Sequence, residues 1–278
     1  MCEYDFIMLG KDHINISIAF ILPFLIPLIF LEIGNTPMMM FLSFMVAVLI
    51  GSLLPDADCG GKATLYYRFP AIDGFMKKVV GKSVVFMFNH LISKKKIKVD
   101  HEVKDEHRGV MHSPVGVLLS SLMLILPLII FGLVFKLFNW LIMLAIFFGL
   151  LIGQLLHLFE DSCTISGINW FFPFKTKELK GKIYTFSKDP ERKDIRPMIY
   201  AGIFYLLVGL LFFGYAFNII SNINFWLIAG IIMIYNSIAL FIIFKLSQST
   251  SKFWMFKKET IRKINKHSRR MQRNAGRY

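Results

Sequence analysis

Six long apolar runs alternate with polar segments along this chain. They lie near residues 14–32, 38–54, 114–135, 140–159, 198–217 and 225–244. A helix needs about 20 mostly apolar residues to cross the hydrocarbon core of a bilayer, and each run comes close to that length. Backbone groups inside a bilayer find no water, so such runs must be helical. The pattern therefore predicts an all-α, polytopic membrane protein with about six transmembrane helices.

The amino-acid composition supports the same class. Of the 278 residues, 55% are hydrophobic and 29 are Phe, and the mean hydropathy is +0.58. These values exceed what a soluble domain with a polar surface has. The N-terminal stretch is acidic and lacks a small-residue cleavage site, so we expect the first run to be retained as a membrane span.

The distribution of basic residues predicts the orientation in the membrane. The net charge is +14, and of the 32 Lys and Arg one precedes the first span, eleven lie in loop 55–113, eight in loop 160–197 and eleven from Lys245 onward. Of the short turns, only the third-to-fourth one carries a basic residue, Lys136. Basic loops are retained in the cytoplasm. We therefore expect a multi-pass protein of the plasma (inner) membrane with cytoplasmic termini, and no nucleic-acid partner is needed to explain the charge.

The spans and loops divide the chain into three parts. Residues 1–197 form the predicted membrane metal-site domain with four spans, residues 198–245 two further spans, and residues 246–278 a basic cytoplasmic tail. Within the first large loop, segment 75–98 mixes apolar residues with lysines. That mixture predicts a helix lying on the anionic inner leaflet, in contact with membrane lipids.

Four predicted span ends on the cytoplasmic side carry seven His and Asp residues. They are His13 at the first span, Asp56 and Asp58 after the second, His107 and His112 before the third, and His157 and Asp161 at the end of the fourth. A mixed set of imidazoles and carboxylates suits one or two divalent transition-metal ions, zinc foremost, with manganese and iron as alternatives. Two such ions can activate a water and stabilise a displaced oxygen, as in phosphoester hydrolysis.

The spacing of these residues favours a shared site. His157 and Asp161 are four residues apart, so a helix places them on one face. Pro55 ends the second helix, and an extended backbone after it would point Asp56 and Asp58 to the same side, where one carboxylate would act as a general base. Arg108 would bind a substrate phosphate or pair with an acidic residue of the site.

Other interpretations of the same residues stay open. A single His or Asp at a helix end is more often a cap or an interfacial polar group, and only the joint clustering favours a metal. Two other functions also remain: a membrane transporter, and a membrane anchor with a structural metal that recruits a soluble protein partner. Transporters usually carry ionisable groups near the membrane midplane.

Four sequence pieces carry a resemblance to a known family. "DHIN", "LLPDAD", "HRGVMHSP" and "HLFEDSCTISGINWFFPF" follow one another at span boundaries over roughly residues 10–175. In this combination the chain resembles the YdjM-like family of predicted membrane-bound metal-dependent hydrolases, also described as LexA-binding and inner membrane-associated. The family commonly has Thr where this chain has Asp12 and Met111.

The resemblance implies a function for the candidate site. It implies a hydrolase at the membrane whose metal ligands are the seven His and Asp residues. The order of ligands is also similar to that of helical zinc-dependent phospholipases C, which implies a phosphoester substrate, with a lipid as one candidate. We expect Asp56, Asp58 and Arg108 to take part in catalysis there.

Overall fold

The structure is a computed structural model, and it describes residues 10–31, 35–58, 76–95, 109–172, 178–183, 194–247 and 250–252. Within these ranges it is nearly all-α. The seven α-helices are α1 (Gly10–Phe30), α2 (Asn35–Leu53), α3 (Lys82–Lys95), α4 (Pro114–Val134), α5 (Trp140–Ser162), α6 (Arg196–Ala216) and α7 (Phe225–Leu246).

Six of these helices are long and apolar enough to cross a membrane, all but α3. This confirms the six predicted spans. Two of them extend beyond the apolar runs and therefore include candidate metal ligands. Helix α1 begins at Gly10, so His13 lies in its first turn, and α5 continues to Ser162, so His157 and Asp161 both lie within the helix.

Short elements connect the helices. A π-helical segment, Met76–Gly81, leads into α3, so the helix expected within residues 75–98 is confirmed. Two 3-10 turns, Pro55–Asp58 and Val110–His112, follow α2 and precede α4. Strands β1 (Ile168–Asn169), β2 (Glu178–Lys180) and β3 (Thr250–Lys252) form a small antiparallel sheet in the order β1-β2-β3.

The closest helix pair is α2 with α5, and glycines make that contact. A Cβ added at Gly149 would lie 2.6 Å from the carbonyl oxygen of Phe44, and one at Gly153 would lie 2.1 Å from that of Val48. Inside a bilayer no hydrophobic effect drives helices together, so they associate through such close backbone approach at small residues. Two glycines four residues apart therefore fix α5 directly against α2.

A buried polar network joins α4 to α5. Ser120 Oγ donates to Gln154 Oε1 at 2.6 Å, and Gln154 Nε2 donates to Ser121 Oγ at 2.8 Å. Polar side chains that satisfy one another in this way hold membrane helices together.

The ends of four spans meet at one end of the bundle, where α1 and α4 begin and α2 and α5 end. We call this the site end. Helices α6 and α7 pack beside it against α1, around the buried side chains Ile16, Phe204 and Ala239.

Candidate metal centre

The site end brings together side chains from four separate elements. His13 comes from the first turn of α1, Asp56 from the turn after α2, and His112 from the turn before α4. His157 and Asp161 come from the last two turns of α5. All five side chains are buried, with at most 2% of the surface of any of them exposed.

Local sequence explains why the chain turns at these positions. Pro55 has no backbone N–H and begins the 3-10 turn that carries Asp56. Before α4, Ser113 caps the helix by accepting from the Gly116 amide at 3.2 Å and donates to the Val110 carbonyl at 2.7 Å. Gly116 is required there, because a Cβ would lie 1.9 Å from the Val110 oxygen.

Four ligand atoms from two histidines and two aspartates face one another in this site. His112 Nε2 lies 3.7 Å from Asp56 Oδ1 and 3.5 Å from Asp161 Oδ2, and His157 Nε2 lies 3.6 and 3.7 Å from the same two oxygens. These distances are too long for hydrogen bonds. Two ligands of one tetrahedral ion with bonds of about 2.0–2.2 Å lie roughly 3.3–3.6 Å apart. Each imidazole nitrogen is therefore about as far from the two carboxylate oxygens as two ligands of one small divalent ion are, and Asp56, His112 and His157 lie close enough together to hold such an ion.

The protonation of His157 supports the same interpretation. Its Nδ1 lies 2.7 Å from the carbonyl oxygen of Ser52, which can only accept, so Nδ1 must donate the hydrogen. In the neutral imidazole, Nε2 then presents a lone pair toward two carboxylates. Among the described residues, Nε2 has no hydrogen-bond partner. A lone pair buried beside two anionic oxygens is costly unless a cation lies between them.

His13 contacts Glu160, an acidic residue outside the seven predicted ligands. Its Nδ1 lies 2.6 Å from Glu160 Oε2, and its ring stacks on that of His157 with centroids 3.8 Å apart. With Glu160 as a carboxylate, Nδ1 carries the proton and Nε2 faces Asp161 Oδ1 at 3.8 Å. A carboxylate that orients a histidine in this way is common behind metal ligands.

The electrostatics of the site also favour a cation. Burial by itself raises the pKa of the Asp56 carboxyl, but His157 and the other imidazoles outweigh it when they are protonated and hold the pKa well below the usual aspartate value. With His157 neutral, a cation beside its Nε2 would supply that positive charge instead. In the described part of the chain, the basic side chains within 4 Å of Asp56 and Glu160 are all imidazoles. Buried carboxylates normally need a stronger positive partner, such as a metal ion.

The ligand atoms fall into two overlapping groups that can hold a metal ion. One is Asp56, His112 and His157, and the other is His13, His157 and Asp161. His157 belongs to both, but its Nδ1 is committed to Ser52, so it has one nitrogen to offer and serves one ion at a time. The described residues can therefore hold one ion between three ligands, and the remaining two ligands form part of a second position.

Five of the seven predicted ligands meet in the structure: His13, Asp56, His112, His157 and Asp161. The backbone of Asp58 belongs to the 3-10 turn, and its side chain lies outside what the structure describes. The prediction of an extended backbone after Pro55 is wrong. Residues 55–58 form a 3-10 turn, in which successive side chains do not alternate between two sides. His107 and Arg108 lie outside the described residues, so their roles stay predictions.

Glu160 could have been found from the sequence. It lies three residues after His157 in "HLFED", so a helix places both near one face. An acid on the inner face of a membrane helix is costly unless it has a partner, which is itself a signal.

Comparison with known proteins assigns the family. The model of the YdjM inner membrane protein family matches residues 8–243, which include all of the predicted site residues. The chain therefore belongs to this family and is a multi-pass membrane protein. No curated protein and no solved structure matches it.

Proposed function

We propose that this member of the YdjM inner membrane protein family is a metal-dependent hydrolase that cleaves a phosphoester at the cytoplasmic face of the membrane. The observation that carries the proposal is that the Nε2 atoms of His112 and His157 each lie 3.5–3.7 Å from both Asp56 Oδ1 and Asp161 Oδ2. The cytoplasmic location of the site end rests on the Lys and Arg distribution.

The four side chains would hold zinc, with manganese or iron as alternatives, since imidazole and carboxylate ligands suit all three. When bound, such an ion polarises a phosphoryl oxygen and makes a water molecule easier to deprotonate. His13 would complete the ligand set or begin that of a second ion, for which His107 and Asp58 are further candidates.

The side chains around the ligands have separate tasks. The Ser52 carbonyl fixes the tautomer and ring direction of His157, and Glu160, as a carboxylate, would do the same for His13. Asp56 Oδ1 lies 3.7 and 3.6 Å from the Nε2 atoms of His112 and His157, and so is better placed to bind the ion than to act as general base. That role then goes to Asp58, while Arg108 would bind the phosphate of the substrate.

One observation favours a second candidate function. The ligands are almost fully buried, and a closed set of four protein ligands is typical of a structural metal site. In this case the protein would be a membrane anchor whose metal stabilises the fold and whose basic loops recruit a soluble partner. The transporter has less support, because Gln154 and Asn236, two polar residues inside the described spans, are not ionisable and donate hydrogen bonds to neighbouring helices.

Metal content tests the shared premise of both candidates. Protein purified in detergent is analysed by plasma mass spectrometry beside a His157→Ala, Asp161→Ala double variant. Asn236→Ala, which removes a buried polar group of α7 away from the site, is the control. We expect one or two transition-metal ions per chain in the wild type and the control, and nearly none in the double variant. No metal in the wild type, even after zinc or manganese is supplied, contradicts the proposal.

Activity then separates the hydrolase from the anchor. Metal-loaded protein is assayed on a water-soluble aryl phosphodiester and on phospholipids. We expect Asp58→Asn to keep the fold and the ion held by Asp56, His112 and His157 but to lose activity by about 100-fold or more, as is typical for a general base. A wild type that hydrolyses neither substrate, and that unfolds when a chelator removes the metal, would instead support the structural site.

A further inference from the structure

A large apolar cavity opens on the side of the bundle next to the site end. It has a volume of about 800 Å³ and lies between α2, α4, α5 and the π-helical segment before α3. We call it the apolar groove, and its wall includes Leu42, Val46, Ile50, Leu124, Leu128 and Leu150. Ser43 is the one polar residue of its wall among those the structure describes. The volume is within the range of about 300–1,000 Å³ that small-molecule sites have.

The surroundings of the groove indicate what fills it. Three of its walls are membrane spans, and Val46 and Leu128 on its rim are 56% and 42% exposed, so the groove opens toward hydrocarbon. Lipid is the molecule present at this depth in a bilayer. A transmembrane helix of another protein, with a diameter of about 10 Å, needs a long open face, whereas this cavity is confined to a pocket.

The groove leads toward the metal-ligand turns. Val80 lines one end of it and packs in the same buried apolar cluster as Leu54 and Met111. Leu54 directly precedes the Pro55–Asp58 turn, and Met111 directly precedes His112. An elongated molecule in the groove therefore has one end directed toward the site.

The charge at this end suits an anionic head group. The exposed Lys82 begins α3, directly after the π-helical segment that supplies Val79 and Val80 to the wall of the groove. A basic residue beside a membrane attracts anionic lipid phosphates. An apolar groove with a lysine nearby matches a phospholipid in both parts.

We infer that the apolar groove binds an acyl chain of an anionic phospholipid and that this lipid is the substrate of the proposed hydrolase. Only the second part of this inference, that the lipid is the substrate, rests on the proposed function. In the reaction, the oxygen of water would bond to phosphorus as the ester P–O bond breaks, and the proton would go to the departing alcohol. The acyl chain would hold the lipid so that its phosphoester meets the ligand cluster.

Photolabelling tests the binding half without any activity. The full chain is reconstituted in phosphatidylethanolamine–phosphatidylglycerol vesicles that contain a trace of phosphatidylglycerol with a diazirine in its acyl chain. We expect labelled peptides to concentrate at residues 42–50 and 123–128. Val46→Trp fills the groove from its rim and should lower this labelling at least about fivefold.

Met39→Trp is the matched control, because Met39 is on the same helix, is 54% exposed against 56% for Val46, and lies outside the groove. Leu128→Trp fills the groove from α4 and guards against a folding defect in one variant, with metal content as the check on folding. Labelling spread evenly over all spans and equal in the variants would mean ordinary surrounding lipid and would overturn the inference. A photoreactive amino acid placed at Val46 that joins two copies of the chain would also overturn it, because a second copy would then occupy the groove.

Kinetics test the substrate half. Val46→Trp should raise KM for a long-chain anionic phospholipid about tenfold and leave kcat, as well as hydrolysis of a water-soluble aryl phosphodiester, unchanged. If the wild type hydrolyses neither substrate but the groove is labelled, the hydrolase proposal fails while the lipid site stands. If the wild type hydrolyses both and Val46→Trp alters neither, the groove does not bind the substrate.

Discussion

The two helix pairs α2–α5 and α6–α7 are built from similar apolar sequences but pack differently. In α2 and α5, a Cβ added at Gly51 or Gly153 would collide with the backbone of the partner helix. In α6 and α7, a Cβ at Gly202, Gly209 or Gly230 would meet nothing within 4 Å. Glycines are thus contact points between the helices of the first pair, whereas three of the four glycines of α6 and α7 lie on open surface; the fourth, Gly214, packs against Ile220 in the turn that follows α6.

This difference is linked to the chemistry of the two regions. Close approach of α2 to α5 brings the Ser52 carbonyl within 2.7 Å of His157, which sets the tautomer of a candidate ligand. The α6–α7 region has polar contacts of another kind: Asn236 donates to the Phe20 carbonyl at 3.0 Å and Tyr235 to that of Ile203 at 2.6 Å. Those bonds join helices and lie apart from the buried acids. The comparison indicates that the first pair builds the site and the second supports it.

The largest expected effect comes from replacing a glycine at the α2–α5 contact with a large side chain. Gly153→Leu puts a side chain where Val48 O and Ser52 N already lie 2.1 and 2.8 Å from a Cβ, and we expect a loss of about 3 kcal/mol or more in stability together with the metal. Gly209→Leu should change stability by less than about 0.5 kcal/mol. Thermal unfolding in detergent and metal content measure both. Equal effects of the two variants would contradict the division into two regions.

The next largest effect is the loss of one ligand. Asp56→Asn removes a charge from the four-atom cluster, and we expect metal affinity to fall by about 100-fold or more, beyond the roughly 10–100-fold typical of groups behind the ligands. Asp194→Asn is the control, since Asp194 pairs with Arg196 at the start of α6. Competition with a calibrated chelator gives the affinities. Equal metal binding by Asp56→Asn and the wild type would remove Asp56 from the ligand set.

Glu160 should show a graded effect. Glu160→Leu leaves His13 Nδ1 without its acceptor, so we expect metal affinity to fall about 10–100-fold. In Glu160→Gln the amide oxygen can still accept, and the loss should stay below about tenfold. The same chelator competition distinguishes the two. An equal loss in both variants would mean that the charge of Glu160 matters more than its hydrogen bond.

The smallest effect is expected from the helix-joining polar groups. Gln154→Leu removes the bonds to Ser120 and Ser121, and Asn236→Leu removes the bond to Phe20 in the other region. Such bonds in membranes contribute about 0.6 kcal/mol on average and at most about 1.7. Both variants should lose about that much stability and keep the metal. Metal loss in Gln154→Leu alone would show that the network also holds the site.

Much of the candidate site could be predicted from linear patterns. The i, i+4 spacing of His157 and Asp161 needs only a helix, and the placement of His13, Asp56 and His112 at span ends needs only the apolar runs. The contact of Glu160 with His13 joins residues 147 positions apart, so only the packing of α1 against α5 reveals it. The sequence predicts an extended backbone after Pro55, whereas the structure has a 3-10 turn there. Proline is compatible with both conformations, so the residue type could not decide between them.

The helical membrane architecture follows from the amino-acid sequence alone, because a bilayer leaves the backbone of an apolar run no alternative to a helix. The same holds for the residues that lie at one end of the bundle, because alternating spans return the chain to that end. The packing of the helices is needed to establish which nitrogen of His157 is available, that Glu160 contacts His13, and that a groove opens beside α2. Each of these depends on how closely two helices approach, and that distance is set by contacts between residues far apart in the chain.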